Sequence, residues 1–205
     1  MPSAALYRAR RVDLAIDELA GVGFAVMPDF VTPFTLAALR GEALRRDEAG
    51  ELAPASIGHG AGRVEHAAIR GDRISWLDEP SASIAELELG ALLEVLRLAI
   101  NQRLFLGLMR YDGHYAIYPT GAVYARHVDR FRDDDLRVLS CVLYLNDAWL
   151  PIEGGALRLH LAGGRTHDVI PLGGTLVAFL SDQFPHEVLA ATRPRIALTG
   201  WFRRR

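Results

Sequence analysis

The stretch Tyr124-Ala-Arg-His-Val-Asp-Arg130 is the segment around which the rest of the fold is interpreted. Alternate side chains of a β-strand point to opposite faces, so a strand here would place His127 and Asp129 side by side on one surface. An imidazole and a carboxylate in that arrangement offer two ligands to a metal ion. The spacing alone is weak evidence, since seven histidines and 25 acidic residues in 205 give about one His-x-Asp/Glu by chance. The default interpretation is a surface histidine beside an aspartate.

Composition limits the metal sites and cofactors that the chain can hold. A single cysteine, Cys141, excludes an intramolecular disulfide, a cysteine-rich zinc site and a cysteine-held iron–sulfur cluster. All 23 basic residues are arginine, which excludes Schiff-base enzymes and the lysine of a P-loop. Any metal ligand must therefore be a histidine or a carboxylate.

Charge and hydropathy bear on partners and location. A formal net charge of −2 gives no electrostatic reason to expect binding to nucleic acid or to an acidic membrane. No apolar run reaches the length of a membrane span, and residues 1–7 lack the apolar core of a signal peptide. Half of the 205 residues are apolar, enough for a large core. We expect one soluble, cytoplasmic domain.

Helical patterns occupy the first half of the chain. Thr32 followed by Pro33 is a good helix start, and Ser83-x-x-Glu86 is a capping box. The predicted helices cover residues 13–20, 33–50 and 84–104, with a strand at 24–27. Residues 51–63 contain proline and three glycines with little apolar periodicity, and we expect a mobile loop there.

Short apolar runs separated by Gly, Pro and Asp follow from Leu108 onward, a pattern typical of an all-β sandwich or barrel. The runs are Val138–Leu145, Ala156–Leu161, His167–Ile170, Thr175–Leu180, Glu187–Leu189 and Arg195–Phe202. The predicted fold class is therefore α+β, a double-stranded β-helix (jelly roll) supported by N-terminal helices. Residues 1–105 would form mainly helical support with a substrate-side loop, and residues 106–205 the jelly-roll core.

His186 is the second histidine predicted for the metal site. It follows Pro185, which fixes the turn into a strand, and by default it is a strand-end histidine bonded to backbone. Arg195 opens a strand in which alternation places it on one face with Thr199. A guanidinium pointing into a small barrel needs a charged partner. That partner is either a protein carboxylate or a dicarboxylate ligand, whose carboxylate matches the planar fork of arginine.

Tyr144 adds a hydroxyl to the same region. Alternation in Val138–Tyr144 places Tyr144 on one face with Val142 and Ser140, so its phenol could reach the same carboxylate from a neighbouring strand. A plain core tyrosine is the alternative. Cys141 falls on the opposite face, where it is interpreted as a packing residue.

These motifs together resemble the Fe(II)/2-oxoglutarate dioxygenases, in particular the prolyl 4-hydroxylase branch. The resemblance to the hypoxia-inducible-factor prolyl hydroxylases and their bacterial relatives extends from about residue 65 to the end of the chain. The matching segments are Ile69–Trp76, Tyr118-Pro119, Tyr124–Asp129, Cys141–Asn146, Glu153–Leu157, Pro185–Val188 and Thr199–Trp201.

The resemblance implies Fe(II) as cofactor, 2-oxoglutarate and O2 as cosubstrates, and ascorbate as a further candidate. It implies hydroxylation of a proline in a protein or peptide, with release of succinate and CO2. No catalytic residue is implied beyond the metal centre. The implied iron ligands are His127, Asp129 and His186; the implied cosubstrate-binding residues are Arg195, Tyr144, Tyr118 and Thr199; and the implied substrate-side residues are Arg70, Asp72 and Trp201.

Other interpretations of the same residues stay open at this point. Without the resemblance, Arg70 and Asp72 are an ordinary solvated turn. A hydroxylase of a small molecule or free amino acid, a non-catalytic sensor of iron and 2-oxoglutarate, and a cupin with another metal also fit a histidine-bearing barrel. The remaining histidines have no partner pattern and are interpreted as surface or core residues: His59, His66, His114, His160 and His167. The sequence does not indicate whether the chain self-associates.

Overall fold

The computed structural model describes residues 4–57, 64–66, 68–77, 82–129 and 136–204. The three α-helices are α1 (Ala4–Val22), α2 (Pro33–Glu48) and α3 (Ile84–Leu104). The strands are β1 (Phe24–Met27), β2 (Ala53–Pro54), β3 (Ser56–Ile57), β4 (Val64–Glu65), β5 (Arg73–Trp76), β6 (Arg110–Tyr118), β7 (Tyr124–His127), β8 (Arg137–Tyr144), β9 (Leu157–His160), β10 (Thr166–Val169), β11 (Leu176–Leu180), β12 (His186–Val188) and β13 (Arg195–Arg203).

The predicted starts of α2 and α3 are confirmed by their caps. The Thr32 hydroxyl accepts a hydrogen bond from the Thr35 backbone N–H at 3.1 Å. At α3 the Ser83 hydroxyl and the Glu86 carboxylate each accept a hydrogen bond from the other residue's backbone N–H. These bonds satisfy donors that have no partner inside the helix. Helix α1 starts well before the predicted residue 13, because residues 4–12 contain no glycine or proline that would stop it.

Two antiparallel sheets face each other and form the double-stranded β-helix, which confirms the predicted fold. The larger sheet has the order β1-β11-β8-β13-β6-β5-β2, and the smaller has the order β10-β9-β12-β7. Strands β3 and β4 form a separate pair. The division at residue 105 is not sharp, since β1, β5 and β2 come from the first half of the chain and join the larger sheet. The assignment of the whole chain to one domain stays a prediction.

Each face of the larger sheet packs against a different layer. In β8, Leu139, Cys141 and Leu143 join the core shared with the three helices. Val142 and Tyr144 join the core between the two sheets. The alternation predicted for this strand, including the packing position of Cys141, is therefore correct. The inner face, between the sheets, is where the functional side chains lie.

Two local predictions need correction. Strand β7 ends at His127, so Asp129 lies just beyond the strand instead of within it. Residues 53–54 and 56–57, predicted as part of a mobile loop, form the short strands β2 and β3. Residues 58–63, the rest of that predicted loop, lie outside the described residues.

No helix in the part of the chain that the structure describes combines the length and the apolar character needed to cross a membrane.

Candidate metal centre and cosubstrate pocket

His127 and His186 are brought together by the pairing of β7 with β12, where they are direct partners in the register. Their ring centres are 4.2 Å apart. The Nδ1 atom of His127 is 2.8 Å from the Ala125 carbonyl, and that of His186 is 2.9 Å from the Phe184 carbonyl. A carbonyl can only accept, so each Nδ1 carries the proton and each Nε2 keeps a free lone pair. Both histidines are therefore in the form that binds a metal through Nε2.

Asp129 completes the group. Its carboxylate oxygens lie 3.5 Å from Nε2 of His127 and 3.6 Å from Nε2 of His186. The candidate ligand atoms of the three residues are all within 4.8 Å of one another. Two imidazoles and one carboxylate on one side of a cavity match the arrangement that holds non-haem Fe(II) with coordination positions left open.

The pKa shifts of His186 and Asp129 suit a metal ion. Burial lowers the pKa of His186, which favours the neutral imidazole. Burial alone would raise the pKa of Asp129, but the two adjacent histidines and the Ser140 hydroxyl together hold it below its ordinary value. A neutral imidazole and an ionised carboxylate are the forms that coordinate metals.

Ser140 supports Asp129 and was given no role from the sequence. Its hydroxyl donates to Oδ2 of Asp129 at 2.6 Å, and its oxygen is 2.9 Å from the Ser181 hydroxyl. The available signal was its shared face with Tyr144 in β8, which points it between the sheets.

We expect Ser140→Ala to weaken divalent metal binding about 10-fold, since groups that hydrogen-bond a metal ligand typically contribute that much. Titration with Co(II) followed by absorption measures the change. Ser181→Ala is the matched control, because it removes a hydroxyl from the same pair but leaves the bond to Asp129 in place. Equal affinities in Ser140→Ala and the wild type would contradict this support.

Arg195 is the main residue of the predicted cosubstrate pocket. It is 2 % exposed, and its Nε donates to the Gly155 carbonyl at 3.0 Å. Its guanidinium carbon lies 5.2 Å from the ring centre of Tyr118 and 5.1 Å from that of Tyr144. No carboxylate among the described residues pairs with it, so the alternative of a protein carboxylate partner finds no support there.

Nη2 of Arg195 and the Tyr144 hydroxyl are buried and have no hydrogen-bond partner within the described ranges. Burial raises the pKa of Tyr144 to about 12, so its hydroxyl is protonated and can donate. A buried guanidinium without a counter-charge is strongly unfavourable. The residues present therefore fit an anionic ligand whose carboxylate would accept from both groups.

One cavity of about 490 Å³ connects the His-Asp-His group with Arg195. It brings together nearly all residues predicted for the site; the predicted residues that line it are Arg70, Asp72, Tyr118, His127, Asp129, His186, Arg195, Thr199 and Trp201. Tyr144 is not part of the lining and reaches the site through its contact with Arg195.

The interpretation of Arg70 and Asp72 as a solvated turn is wrong. Asp72 is buried, and its carboxylate accepts hydrogen bonds from Nε and Nη2 of Arg70 at 2.8 and 3.1 Å. The sequence Arg70-Gly-Asp72 fits both a solvated turn and a buried ion pair, so the sequence alone did not distinguish the two.

Two of the histidines left without a role have specific surroundings. His160 lies 3.0 Å from the Glu187 carboxylate, so the expectation of no partner is wrong for it. His114 is 1 % exposed, lines the cavity, and lies between Trp76 and Trp201 with ring centres 4.9 and 5.5 Å away. Its position two residues from Ala116 on the inner face of β6 was the signal that could have placed it.

His114 makes folding sensitive to acid. Burial lowers its pKa from 6.5 to about 3. As the pH falls below 6.5 the unfolded chain takes up the proton first, so stability is lost between pH 6.5 and 3, about 2 kcal/mol of it by pH 5. We expect the unfolding free energy of His114→Phe to fall less than that of the wild type between about pH 7 and pH 5. Denaturant titrations at both values test this, and equal falls would contradict it.

The sequence profile of the 2OG-Fe(II) oxygenase superfamily matches residues 113–203. A prolyl-4-hydroxylase structure from Pseudomonas putida is 49 % identical with a TM-score of 0.85, over 95 % of this chain and 99 % of that one. A prolyl hydroxylase from Trichoplax adhaerens, solved with a hypoxia-inducible-factor peptide fragment, is 26 % identical with a TM-score of 0.87, over 99 % and 94 % of the two chains. Egl nine homolog 1 of Rattus norvegicus is 35 % identical over 144 residues, which are 65 % of this chain and 41 % of that protein.

The chain belongs to the 2OG-Fe(II) oxygenase superfamily, and it carries a His-Asp-His group that could hold a metal ion and a buried arginine in the same cavity. Enzymes of this superfamily use Fe(II), 2-oxoglutarate and O2. The chain spans about two fifths or less of the length of the Egl nine homolog 1 proteins that it matches.

Proposed function

We propose that this chain is a prolyl 4-hydroxylase that acts on a proline in a protein or peptide and converts 2-oxoglutarate to succinate and CO2. The observation that carries the proposal is the 49 % identity to the Pseudomonas putida prolyl-4-hydroxylase over nearly the whole of both chains. The Trichoplax adhaerens enzyme, solved with a peptide fragment, supports a peptide substrate over a small molecule.

The metal centre is assigned to His127, Asp129 and His186. The two Nε2 atoms converge from the adjacent strands β7 and β12 and the carboxylate from the turn after β7, and the backbone carbonyls and Ser140 keep them oriented. The bound iron with its cosubstrates supplies the oxidation of the C–H bond. The three residues contribute a fixed set of ligands on one side, so the other side stays open to cosubstrate and substrate.

The cosubstrate pocket is assigned to Arg195, Tyr144, Tyr118 and Thr199. Arg195 and the Tyr144 hydroxyl would bind one carboxylate of 2-oxoglutarate. Tyr118 packs against the guanidinium from β6, directly opposite Arg195 in the register. Thr199 lies on the inner face of β13 between Arg195 and Trp201. The β13 strand therefore lines the path from the carboxylate end of the cosubstrate toward the metal.

The substrate side is assigned to Arg70, Asp72 and Trp201. Trp201 is buried, and its indole lies against the guanidinium of Arg137 at 3.6 Å from ring centre to Cζ. Trp76, which is about half exposed, continues this wall toward the surface. An aromatic wall beside the candidate metal ligands suits the apolar ring of proline.

Succinate release measured with and without proline-containing peptides tests the proposal. We expect release that depends on the peptide and is matched by a peptide product heavier by one oxygen on proline. Succinate release only with free amino acids or other small molecules would show that the substrate is not a peptide. No succinate release from protein that binds iron and 2-oxoglutarate would favour a non-catalytic sensor. Omitting ascorbate in the same assay tests whether it sustains turnover. A cytoplasmic location stays a prediction.

A further inference from the structure

A series of side-chain contacts leads from the substrate side of the cavity to the metal ligand His127. The rings of Tyr124 and His127 are stacked, with centres 3.6 Å apart and planes inclined by 15°. The guanidinium carbon of Arg70 lies 4.8 Å from the centre of the same Tyr124 ring. Asp72 holds that guanidinium with two hydrogen bonds. The buried ion pair is therefore separated from a metal ligand by one aromatic ring.

The backbone joins the same two segments. Arg70 and Tyr124 form an antiparallel bridge. The Gly71 N–H donates to the Val123 carbonyl at 2.9 Å, and the Ala125 N–H donates to the Ile69 carbonyl at 2.7 Å. The opposite edge of β7 pairs with β12, which carries His186. Strand β7 is thus held on one edge by the strand of the second histidine and on the other by the segment that carries Arg70.

His127 is the metal ligand that most needs such support. Its side chain is 19 % exposed, against 6 % for His186 and 9 % for Asp129. It lies at the last residue of β7, and a hydrogen bond to the Ala125 carbonyl fixes its ring. The stacked Tyr124 ring restricts rotation of the His127 imidazole about that hydrogen bond. The plane of Tyr124 is set in turn by the guanidinium that packs on it.

We infer that Arg70 and Asp72 are positioning residues for His127, acting through Tyr124, and that this ion pair sets the affinity of the site for a divalent metal. The inference rests on the metal centre assigned under the proposed function. It gives Arg70 and Asp72 a role in addition to shaping the substrate side. Partners that orient a metal ligand typically raise metal affinity by about 10- to 100-fold.

Simple electrostatics predicts the opposite sign. A guanidinium near a divalent cation repels it, so charge alone would make metal binding tighter when Arg70 is removed. Ordering of His127 predicts weaker binding. The direction of the change therefore decides between the two effects.

A matched control exists on the helix side of the larger sheet. The Arg46 guanidinium carbon lies 5.0 Å from the ring centre of Tyr115, and Nη2 of Arg46 donates to the Glu86 carboxylate at 2.9 Å. All three residues are buried. This is the same combination of arginine, tyrosine and carboxylate, but Tyr115 faces the helices and not the metal centre.

Co(II) dissociation constants, measured by absorption in the absence of 2-oxoglutarate and peptide, test the inference. We expect Arg70→Ala and Tyr124→Leu each to weaken Co(II) binding about 10-fold or more. Because both residues act on His127 by the same route, the double variant should bind Co(II) no less tightly than the single variant with the larger loss. Tyr124→Phe keeps the ring and should bind like the wild type. Arg46→Ala should lower the unfolding temperature and leave the Co(II) constant unchanged. Arg70→Gln, which keeps a hydrogen-bond donor for Asp72 but lacks the guanidinium that packs on Tyr124, serves as the second variant if Arg70→Ala does not fold.

Unchanged or tighter Co(II) binding by folded Arg70→Ala or Arg70→Gln would overturn the inference, and so would an equal weakening in Arg46→Ala. A wild type that binds Co(II) but hydroxylates no peptide would overturn the proposed substrate and leave the inference standing. The two failures are therefore distinguishable.

Discussion

Arg195→Met will lose 2-oxoglutarate binding by a factor of about 30 or more, while its affinity for the divalent metal changes little. Methionine has a similar length but no charge, so the variant removes the ion pair with less loss of packing. Truncating one partner of a buried, hydrogen-bonded charge pair costs about 2–5 kcal/mol, which corresponds to about 30-fold or more in affinity. The metal ligands lie on other strands and keep their contacts.

Isothermal titration of the metal-loaded protein with 2-oxoglutarate, alongside Co(II) titration of the metal-free protein, measures both affinities. Arg195→Lys keeps a charge but lacks the planar fork, and we expect it to bind the cosubstrate with intermediate affinity. Parallel losses of metal and cosubstrate binding in Arg195→Met would show that the residue supports the fold of the site and not the cosubstrate itself.

Asp129→Asn will lose high-affinity metal binding, by about 100-fold or more, and with it succinate formation. Asparagine has the shape of aspartate and can still accept from Ser140, but it lacks the charge that attracts the cation between two neutral imidazoles. Metal that binds only the native state stabilises it by about 2.7 kcal/mol at 100 times the dissociation constant. Wild-type protein should therefore unfold at a higher temperature with metal than with chelator.

For Asp129→Asn, the melting curves measured with metal and with chelator should coincide. Glu187→Gln is the matched control, because it neutralises another carboxylate paired with a histidine on the smaller sheet, outside the metal centre. Metal-dependent stabilisation that persists in Asp129→Asn would place the metal on other residues.

Local sequence patterns predicted the parts of the site that depend on one strand or one turn. Alternation along β13 placed Arg195 and Thr199 on one face, and the capping box at Ser83 marked the start of α3. The His-x-Asp spacing also identified His127 and Asp129 as candidate metal ligands, although strand β7 ends at His127 and does not extend to Asp129. These features follow from backbone geometry that a few neighbouring residues determine.

Features that depend on pairing between distant strands were not visible in the sequence. The support of Asp129 by Ser140 requires β8 to lie beside the turn after β7. The burial of Asp72 requires residues 69–71 to pair with the edge of β7. Local periodicity contains no information on which strands become neighbours, or on which polar groups lose their water when they do. His114 was left as a surface or core residue, and the structure places it in the core, at the cavity wall.

A crystal structure of the protein with Mn(II) and 2-oxoglutarate is the most direct test of the central claim, that one cavity holds the metal and the cosubstrate between them. The account predicts Mn(II) bound by Nε2 of His127, Nε2 of His186 and the Asp129 carboxylate, with the distal carboxylate of 2-oxoglutarate on Arg195 and the Tyr144 hydroxyl. A metal bound by other residues, or a 2-oxoglutarate carboxylate that leaves the Arg195 guanidinium unpaired, would contradict it.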